Sequence, residues 1–408
     1  MPWKTISKVE QRFELVRLWR AGVVCKSELC RRFRIARTTA YKWIGRYRQW
    51  GLAGMHDRPR RPHRVAGKTD GRWLRRLRRL RLRHPTWGAR KLGHVLAEQF
   101  GSERAPASAT VSRWLKRWGL ARGKRRQRRG PTLCRRPLRR ARRSHDVWTV
   151  DFKGWHRTAQ GQRVEPLTVR DLYSRYGLAI VLLRHQTIEQ TQGAMRKIFR
   201  RHGVPRCIRC DNGSPFGAGG PTKLSRLSAW WVKLGIEVDF ITPGCPQENG
   251  SHEQFHRVYK AEVPLQKQRG KNNDQRQTNQ WLSHYNFERP HEGIGMRRPA
   301  QLFQRNPRRL PKAIKPWRYP AEWRRCWVRG NGEINWQGKR RYIGEAFVRD
   351  YVGIKRSIGK TWRVYFGPIL IGVLHPDDQG SIRMVRYTKK AKPGPGIPAR
   401  YARLHARA

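Results

Sequence analysis

Over the first third of the chain, apolar positions recur every three or four residues. In the middle they gather into short runs, and near the end they alternate with polar ones. Residues 6–21 carry Phe13, Leu15, Val16 and Leu18 among charges and stop at Ala21-Gly22, which predicts an amphipathic helix. Ser27 is placed to cap a second helix running through Phe33, with Glu28 near its positive end, and "RIARTTAYKWIGRYRQW" starts a third. In this helix-turn-helix pattern Tyr41, Ile44 and Tyr47 are expected to point inward. Arg37, Thr38, Thr39, Lys42 and Arg46 are then left outward, the composition a recognition helix needs to reach base edges and phosphates; a plain three-helix bundle with a solvated basic face is the alternative. Residues 69–84, "PTWGARKLGHVLAEQF" and "SATVSRWLKRWGL", opened by Ser108 or Thr110, predict a second helical unit, either another DNA reader or a packing spacer.

The middle of the chain changes character. "DVWTVDFKGW" reads as a strand, "QRVEPLTVRDLYSRYGLAIVLLR" as two more and "TIEQTQGAMRKIFRRHG" as a helix. "PRCIRC" (strand), "LSRLSAWWVKLGI" (helix), "EVDFIT" (strand) and "SHEQFHRVYKAEVPLQKQ" (helix) follow, so the expected unit is a mixed sheet with helices on its faces. Trp281, Tyr285 and Leu302 have core-like identities, while Asn286, Arg289, Pro290 and His291 form a turn open to a structural role or a DNA contact. Residues 326–375 alternate in short runs punctuated by Gly and predict a small β-barrel, with Trp327, Trp336, Tyr342 and Trp362 read as its core and base stacking as the alternative.

Length and charge then set the organisation. A chain of 408 residues exceeds one ordinary core. The expected segments are a helix-turn-helix domain at 1–55, a linker at 56–68, a second helical unit at 69–120 and an Arg-rich linker at 121–145. After them come a catalytic core at 146–305, a linker at 306–322, a barrel at 323–378 and a basic tail at 379–408. The Arg-rich linker and the tail have little to bury and are expected to stay disordered without a polyanion. With 92 Lys and Arg against 27 Asp and Glu, the net charge of +65 makes nucleic acid the first candidate partner and an anionic membrane surface the second. No apolar run approaches the roughly 20 residues that span a bilayer, and the N-terminus lacks a secretory signal's apolar stretch; a cytoplasmic, nucleoid-associated protein is expected. Among seven cysteines only Cys207 and Cys210 stand two residues apart, a weak zinc signal read as ordinary thiols.

Against that charge, the placement of the acids matters. Asp151 shares a strand face with Thr149, and Asp211 ends the fourth strand at "DNGSPF". If those strands are parallel neighbours, two carboxylates meet at one sheet end, which is costly without a cation. Glu253 falls in the first turn of the helix after Pro246 and Asn249-Gly250, with His256 and Lys260 on its face, whereas Glu248 lies in the preceding turn. Oxygen-only ligands suit Mg²⁺ or Mn²⁺ rather than zinc, and such sites run two-metal phosphodiester chemistry. The alternative, that each acid salt-bridges a neighbouring Arg, weakens when all three are taken together.

"VWTVDFKG", "RCDNGSPF" and "PGCPQENGSHEQFHR" resemble the three acidic motifs of the DDE integrase and transposase core, which has a ribonuclease H-like fold. "WLSHYNFERPHEGIGMRRPAQLF" is similar to the segment that follows in bacterial transposases, and nearly all of the chain resembles the IS481 group of IS3-like insertion-sequence enzymes. The resemblance implies Asp151, Asp211 and Glu253 as catalytic and metal-binding triad, Glu253 being selected over Glu248 by its place three residues after Asn-Gly. It also implies Lys260 as a DNA contact, two Mg²⁺ or Mn²⁺ ions, and double-stranded DNA as partner, both as inverted terminal repeats and as target. The implied reaction is strand cleavage and strand transfer by at least a dimer on DNA. The Asp211 to Glu253 interval is longer than the retroviral one, with "GAGGPTK" as a surface insertion. A domesticated, non-catalytic DNA-binding protein predicts eroded acids, yet all three are present; a ribonuclease on RNA-containing duplexes has no need of tandem helix-turn-helix units.

Overall fold

The computed structural model describes residues 7–58, 70–101, 105–121, 138–158, 161–219, 222–267 (backbone only at 264–267), 274–357 and 359–383. Most of the Arg-rich linker, residues 122–137, and most of the basic tail, residues 384–408, lie outside the described residues. The chain divides into two compact units, 1–70 and 71–408.

In the first unit α1 (Lys8–Arg20) opens with a capping box: Ser7 Oγ accepts from the Glu10 amide while the Glu10 carboxylate accepts from the Ser7 amide. Helices α2 (Lys26–Arg32) and α3 (Arg37–Trp50) follow, and Leu15, Val16, Leu29, Trp43 and Met55 close a small core. Two expectations are corrected here. Because α2 starts at Lys26, Cys25 is its N-cap residue, and Ser27 lies inside the first turn, where its Oγ accepts from Arg37 Nη2 at 3.3 Å. Tyr41 points out, 55% exposed, and Trp43 takes the inward position. The larger indole buries more apolar area and receives the Arg12 guanidinium at 3.8 Å from its ring centroid, while Tyr41 sits under the Lys26 ammonium at 5.2 Å.

The second unit begins with α4 (Gly71–Arg83), α5 (Ala89–Phe100) and α6 (Ser108–Arg117), packed through Trp73, Leu77, Trp87, Leu92, Val111 and Leu115. Buried Arg81 holds this module together by donating to the carbonyls of Trp87 at 2.7 Å and Leu120 at 2.6 Å.

Then comes the sheet: β1 (Trp148–Phe152), β2 (His156–Arg157), β3 (Arg163–Asp171), β4 (Gly177–Leu183), β5 (Cys207–Cys210) and β6 (Glu237–Phe240). Strands β4, β3 and β1 are successive antiparallel neighbours, and β1, β5 and β6 run parallel. Helices α7 (Ile188–His202) and α8 (Arg226–Lys233) make the crossovers and bury Met195, Phe199, Leu227 and Trp231 with Trp148 and Val150 on one sheet face. Helices α9 (Gly250–Lys267) and α10 (Asp274–Phe287) cover the other, where Ile180 packs with Phe255, Tyr259, Trp281 and Tyr285. This mixed sheet, sandwiched between helices, is the ribonuclease H-like arrangement. The parallel neighbours expected to gather the first two acids are β1 and β5.

Strand β4 is the sheet's edge, and α10 closes it with side-chain amides. Gln275 Oε1 accepts from the Leu182 amide at 2.9 Å and its Nε2 donates to the Ile180 carbonyl at 2.8 Å. Asn286 brackets Gly177 the same way, at 2.8 and 2.9 Å. These amides stand where a further strand's peptides would be. The turn around Asn286 and Arg289 is therefore structural: Arg289 is buried against Glu262.

Beyond α11 (Pro299–Leu302) the chain forms two C-terminal sheets. Strands β7 (Arg324–Trp327), β10 (Tyr351–Arg356), β11 (Trp362–Phe366) and β12 (Ile369–Leu374) pair in the order β12-β11-β10-β7; β8 (Glu333–Trp336), β9 (Lys339–Tyr342) and β13 (Gly380–Ser381) pair as β13-β9-β8. Trp336 is buried and Trp362 half-buried, but Trp327 and Tyr342 are 46% and 37% exposed, against expectation. Strand alternation explains both. Their neighbours Cys326 and Arg341 hold the inward positions, and the Arg341 guanidinium reaches the Pro376 carbonyl.

Candidate active site

Asp151 lies near the end of β1, Asp211 immediately follows β5, and Glu253 stands in the first turn of α9. Side-by-side parallel strands deliver the first two carboxylates to one sheet end. The third depends on how α9 is docked. Buried Arg170 on β3 donates to the Ser251 carbonyl, fixing the helix start, and its guanidinium lies 5.7 Å from the Phe255 ring centroid. The preceding 3₁₀ turn, Pro246–Asn249, is held by buried Glu248, whose carboxylate accepts from the Thr242 amide at 2.8 Å and the Thr242 hydroxyl at 2.9 Å. Glu248 is thus committed to the turn, while Glu253 is exposed.

The electrostatics record the convergence. Asp151 has its pKa raised to about 7, first by burial and then by the negative charge of Asp211, with Glu253 adding to it. Burial also raises the pKa of Asp211, opposed by the Gly213 amide. Asp211 Oδ1 is buried without a hydrogen-bond partner, an orphaned acceptor of the kind a cation satisfies. A side chain at Gly213 would bring a Cβ to 3.3 Å from Asp211 Oδ2, so the residue after Asn212 leaves that oxygen room. Carboxylates from three elements, one with an unpaired buried oxygen, offer the oxygen chemistry that a hard divalent ion takes, while the ligand atoms that stand within 4.8 Å of one another around Asp151 are those of His252 and His256.

Behind Asp151 runs a chain of polar groups that the sequence did not announce. Thr149 Oγ1 meets His252 Nδ1 at 2.6 Å; His252 Nε2 meets Thr168 Oγ1 at 2.7 Å; and Thr168 Oγ1 meets His256 Nε2, again at 2.7 Å. Thr168 also donates to the Asp151 carbonyl at 2.8 Å. His256 Nδ1 faces Asp151 Oδ2 at 3.9 Å. Two histidines four residues apart on one helix face were the available signal, but only the pairing of β1 with β3 shows that Thr168 joins them. Lys153 was missed too: burial and the charge of exposed Lys260 lower its pKa, so these two cations stand together, with Lys153 beside His256.

Helix α9 continues to Glu262, which accepts from Trp281 Nε1 at 2.8 Å, from Arg289 and from the Thr86 hydroxyl of the second helical unit. Arg298 binds Glu98 at 2.7 Å and Arg90 binds Glu292 at 3.1 Å, so α4–α6 are packed onto the core beside the site's helix. In the first unit Arg37, Thr38 and Lys42 are exposed, Thr39 and Arg46 half-buried, and Lys42, Arg46 and Arg12 surround the Trp43 ring. Cys207 and Cys210 are buried free thiols whose pKa burial pushes well up.

Residues 141–246 and 234–299 each match an integrase core domain, residues 11–63 a helix-turn-helix domain and residues 39–115 a homeodomain-like domain. The chain carries an integrase core behind helix-turn-helix domains. It is 28% identical over 234 residues, 56% of this chain, to the insertion element IS476 uncharacterized 39.2 kDa protein of Xanthomonas euvesicatoria, and spans 63% of that relative's length. It is 26% identical over 223 residues, 53% of this chain and 75% of the relative, to the insertion element IS407 uncharacterized 31.7 kDa protein of Burkholderia multivorans. Among solved structures the chain is similar to the HTLV-2 integrase catalytic core domain in complex with magnesium, 14% identical with a TM-score of 0.34 over 40% of this chain and 100% of that one. It is also similar to the BIV integrase catalytic core, 19% identical with a TM-score of 0.32 over 39% and 93%. No helix among the described residues is long and apolar enough to cross a membrane.

Proposed function

We propose that this protein is a DDE transposase of the IS481 group that cleaves the ends of its insertion sequence and joins them to target DNA. The observation that carries the reading is the shared field of three acids distant in sequence, in which Asp211 and Glu253 both raise the pKa of Asp151. Asp151, Asp211 and Glu253 would hold two Mg²⁺ or Mn²⁺ ions. Bound there, the ions supply Lewis-acid stabilisation of the scissile phosphate and an activated hydroxyl. The chain's own part is to bring the carboxylates together, to hold Asp151 half-buried, and to set Lys153 and Lys260 where a phosphate backbone can run.

Hydrolysis first frees a 3′-hydroxyl at the element end; that oxygen then attacks a target phosphorus in line, and the displaced target 3′-oxygen leaves. Cleavage consumes a water, and in joining one phosphodiester is made for the one broken, so no nucleotide cofactor is consumed. The outward side chains Arg37, Thr38, Thr39, Lys42 and Arg46 of α3 read the inverted repeats, and the two C-terminal sheets act as a small β-barrel alongside. Paired ends require at least a dimer, working in the cytoplasm on the nucleoid.

The test is Asp151→Asn with labelled end-repeat DNA. Mg²⁺-dependent cleavage and joining should disappear while specific binding persists; undiminished joining rejects the assignment.

A further inference from the structure

A hydroxyl carries one proton, and Thr168 Oγ1 has three neighbours within hydrogen-bond distance: the Asp151 carbonyl, His252 Nε2 and His256 Nε2. The carbonyl can only accept, so it takes the Thr168 proton, and both imidazoles must meet the oxygen as Nε2–H donors. His252 is then complete. Its Nδ1 pairs with Thr149 Oγ1 at 2.6 Å and its Nε2 with Thr168 at 2.7 Å, so both ring nitrogens are already engaged. His256 differs: with its proton fixed on Nε2, its Nδ1 keeps a bare lone pair. That lone pair faces Asp151 Oδ2 at 3.9 Å, too far for a hydrogen bond and with no proton on the nitrogen to share.

Two electron-rich atoms facing each other across a half-buried gap call for a donor or a positive charge between them: a bridging water, a proton on Asp151 or a cation. A divalent ion roughly 2.0–2.2 Å from each donor fits such a gap with slight side-chain adjustment. Thr168 supplies the outer contact that metal-bound imidazoles commonly have, holding the far nitrogen and fixing ring orientation and tautomer.

We propose that His256 Nδ1 binds a divalent cation jointly with Asp151, so that one metal position is a mixed nitrogen–oxygen site; this rests on the reading of Asp151, Asp211 and Glu253 as a metal-binding triad. A nitrogen donor moves selectivity away from Mg²⁺ toward Mn²⁺ and its heavier neighbours. The Thr149–His252–Thr168 chain positions His256 and touches no ion itself.

Mn²⁺ added to the untagged full-length protein without DNA provides the test, read by electron spin echo modulation and by titration. The wild type should show modulation from a directly bound nitrogen. His256→Asn, a smaller side chain that sets an oxygen near the place of Nδ1, should bind Mn²⁺ without that modulation, and His256→Ala should bind it roughly tenfold more weakly. Bound Mn²⁺ lacking nitrogen coupling in the wild type, or coupling unchanged in His256→Asn, overturns the proposal and leaves the oxygen triad standing. Asp151→Asn binding Mn²⁺ as tightly as the wild type overturns the triad reading itself.

Discussion

The hydroxyl of Thr86 donates to the carboxylate of Glu262, joining residues 176 positions apart and tying the second helical unit to the helix that carries Glu253. The same carboxylate neutralises Arg289, which is only 4% exposed. Glu262→Ala leaves that guanidinium buried and unpaired, so a loss of about 3–5 kcal/mol is expected in urea unfolding. Thr86→Val removes one hydrogen bond of the hub and should cost only about 1–2 kcal/mol.

Stability should also depend on pH through Asp151. Burial and then the charge of Asp211 raise its folded pKa to about 7, whereas an unfolded Asp titrates near ~4. The folded state therefore holds this proton more tightly. Its contribution is complete below pH ~4, falls as pH rises from there to about 7, and is constant above, a total loss on the order of 4 kcal/mol. In metal-free buffer Asp151→Asn should raise the melting temperature at pH 8 and change it little at pH 4. Mg²⁺ or Mn²⁺ should reverse the ranking at pH 8 by stabilising the wild type alone.

Asn286 satisfies both peptide groups of Gly177 at once. Asn286→Ala leaves a buried donor and a buried acceptor without partners and should cost about 2–4 kcal/mol in chemical denaturation. Asn286→Asp can accept from the Gly177 amide but sets a carboxylate against its carbonyl, and it should be at least as damaging at neutral pH.

On α3 the exposed and half-buried side chains separate into two kinds. Lys42→Ala and Arg46→Ala should weaken binding to all duplexes, and each should lower the salt-dependence slope by about 0.9 for every phosphate it no longer neutralises. Thr38→Ala and Thr39→Ala should instead narrow the gap between end-repeat and random DNA. Fluorescence anisotropy across a salt series distinguishes the two.

Periodicity made the strand and helix order of the core legible, and the turn residues around Asp211 and Glu253 marked where carboxylates gather. What stayed hidden was the choice between competing faces. On α3, Tyr41, Ile44 and Tyr47 form one plausible stripe, but the bulk of Trp43 rotates the helix and Tyr41 is left outside. Trp327 and Tyr342 were read inward by residue type, whereas strand alternation gave those places to Cys326 and Arg341. Thr168 and His252 were illegible for a deeper reason: a polar residue within a buried strand or helix has meaning only beside its partner, and those partners are 84 residues apart.

The two amides that α10 lays along β4 also restrict how copies of this protein can combine. Each imitates a neighbouring peptide, so the groups of Gly177, Ile180 and Leu182 that they engage are closed to a further strand, and copies assembling there should meet through helices or loops. A synthetic peptide copying β3 should find no purchase on the folded chain at that border, and the exchange of strands that so often turns basic, aggregation-prone proteins into fibres is blocked on that flank.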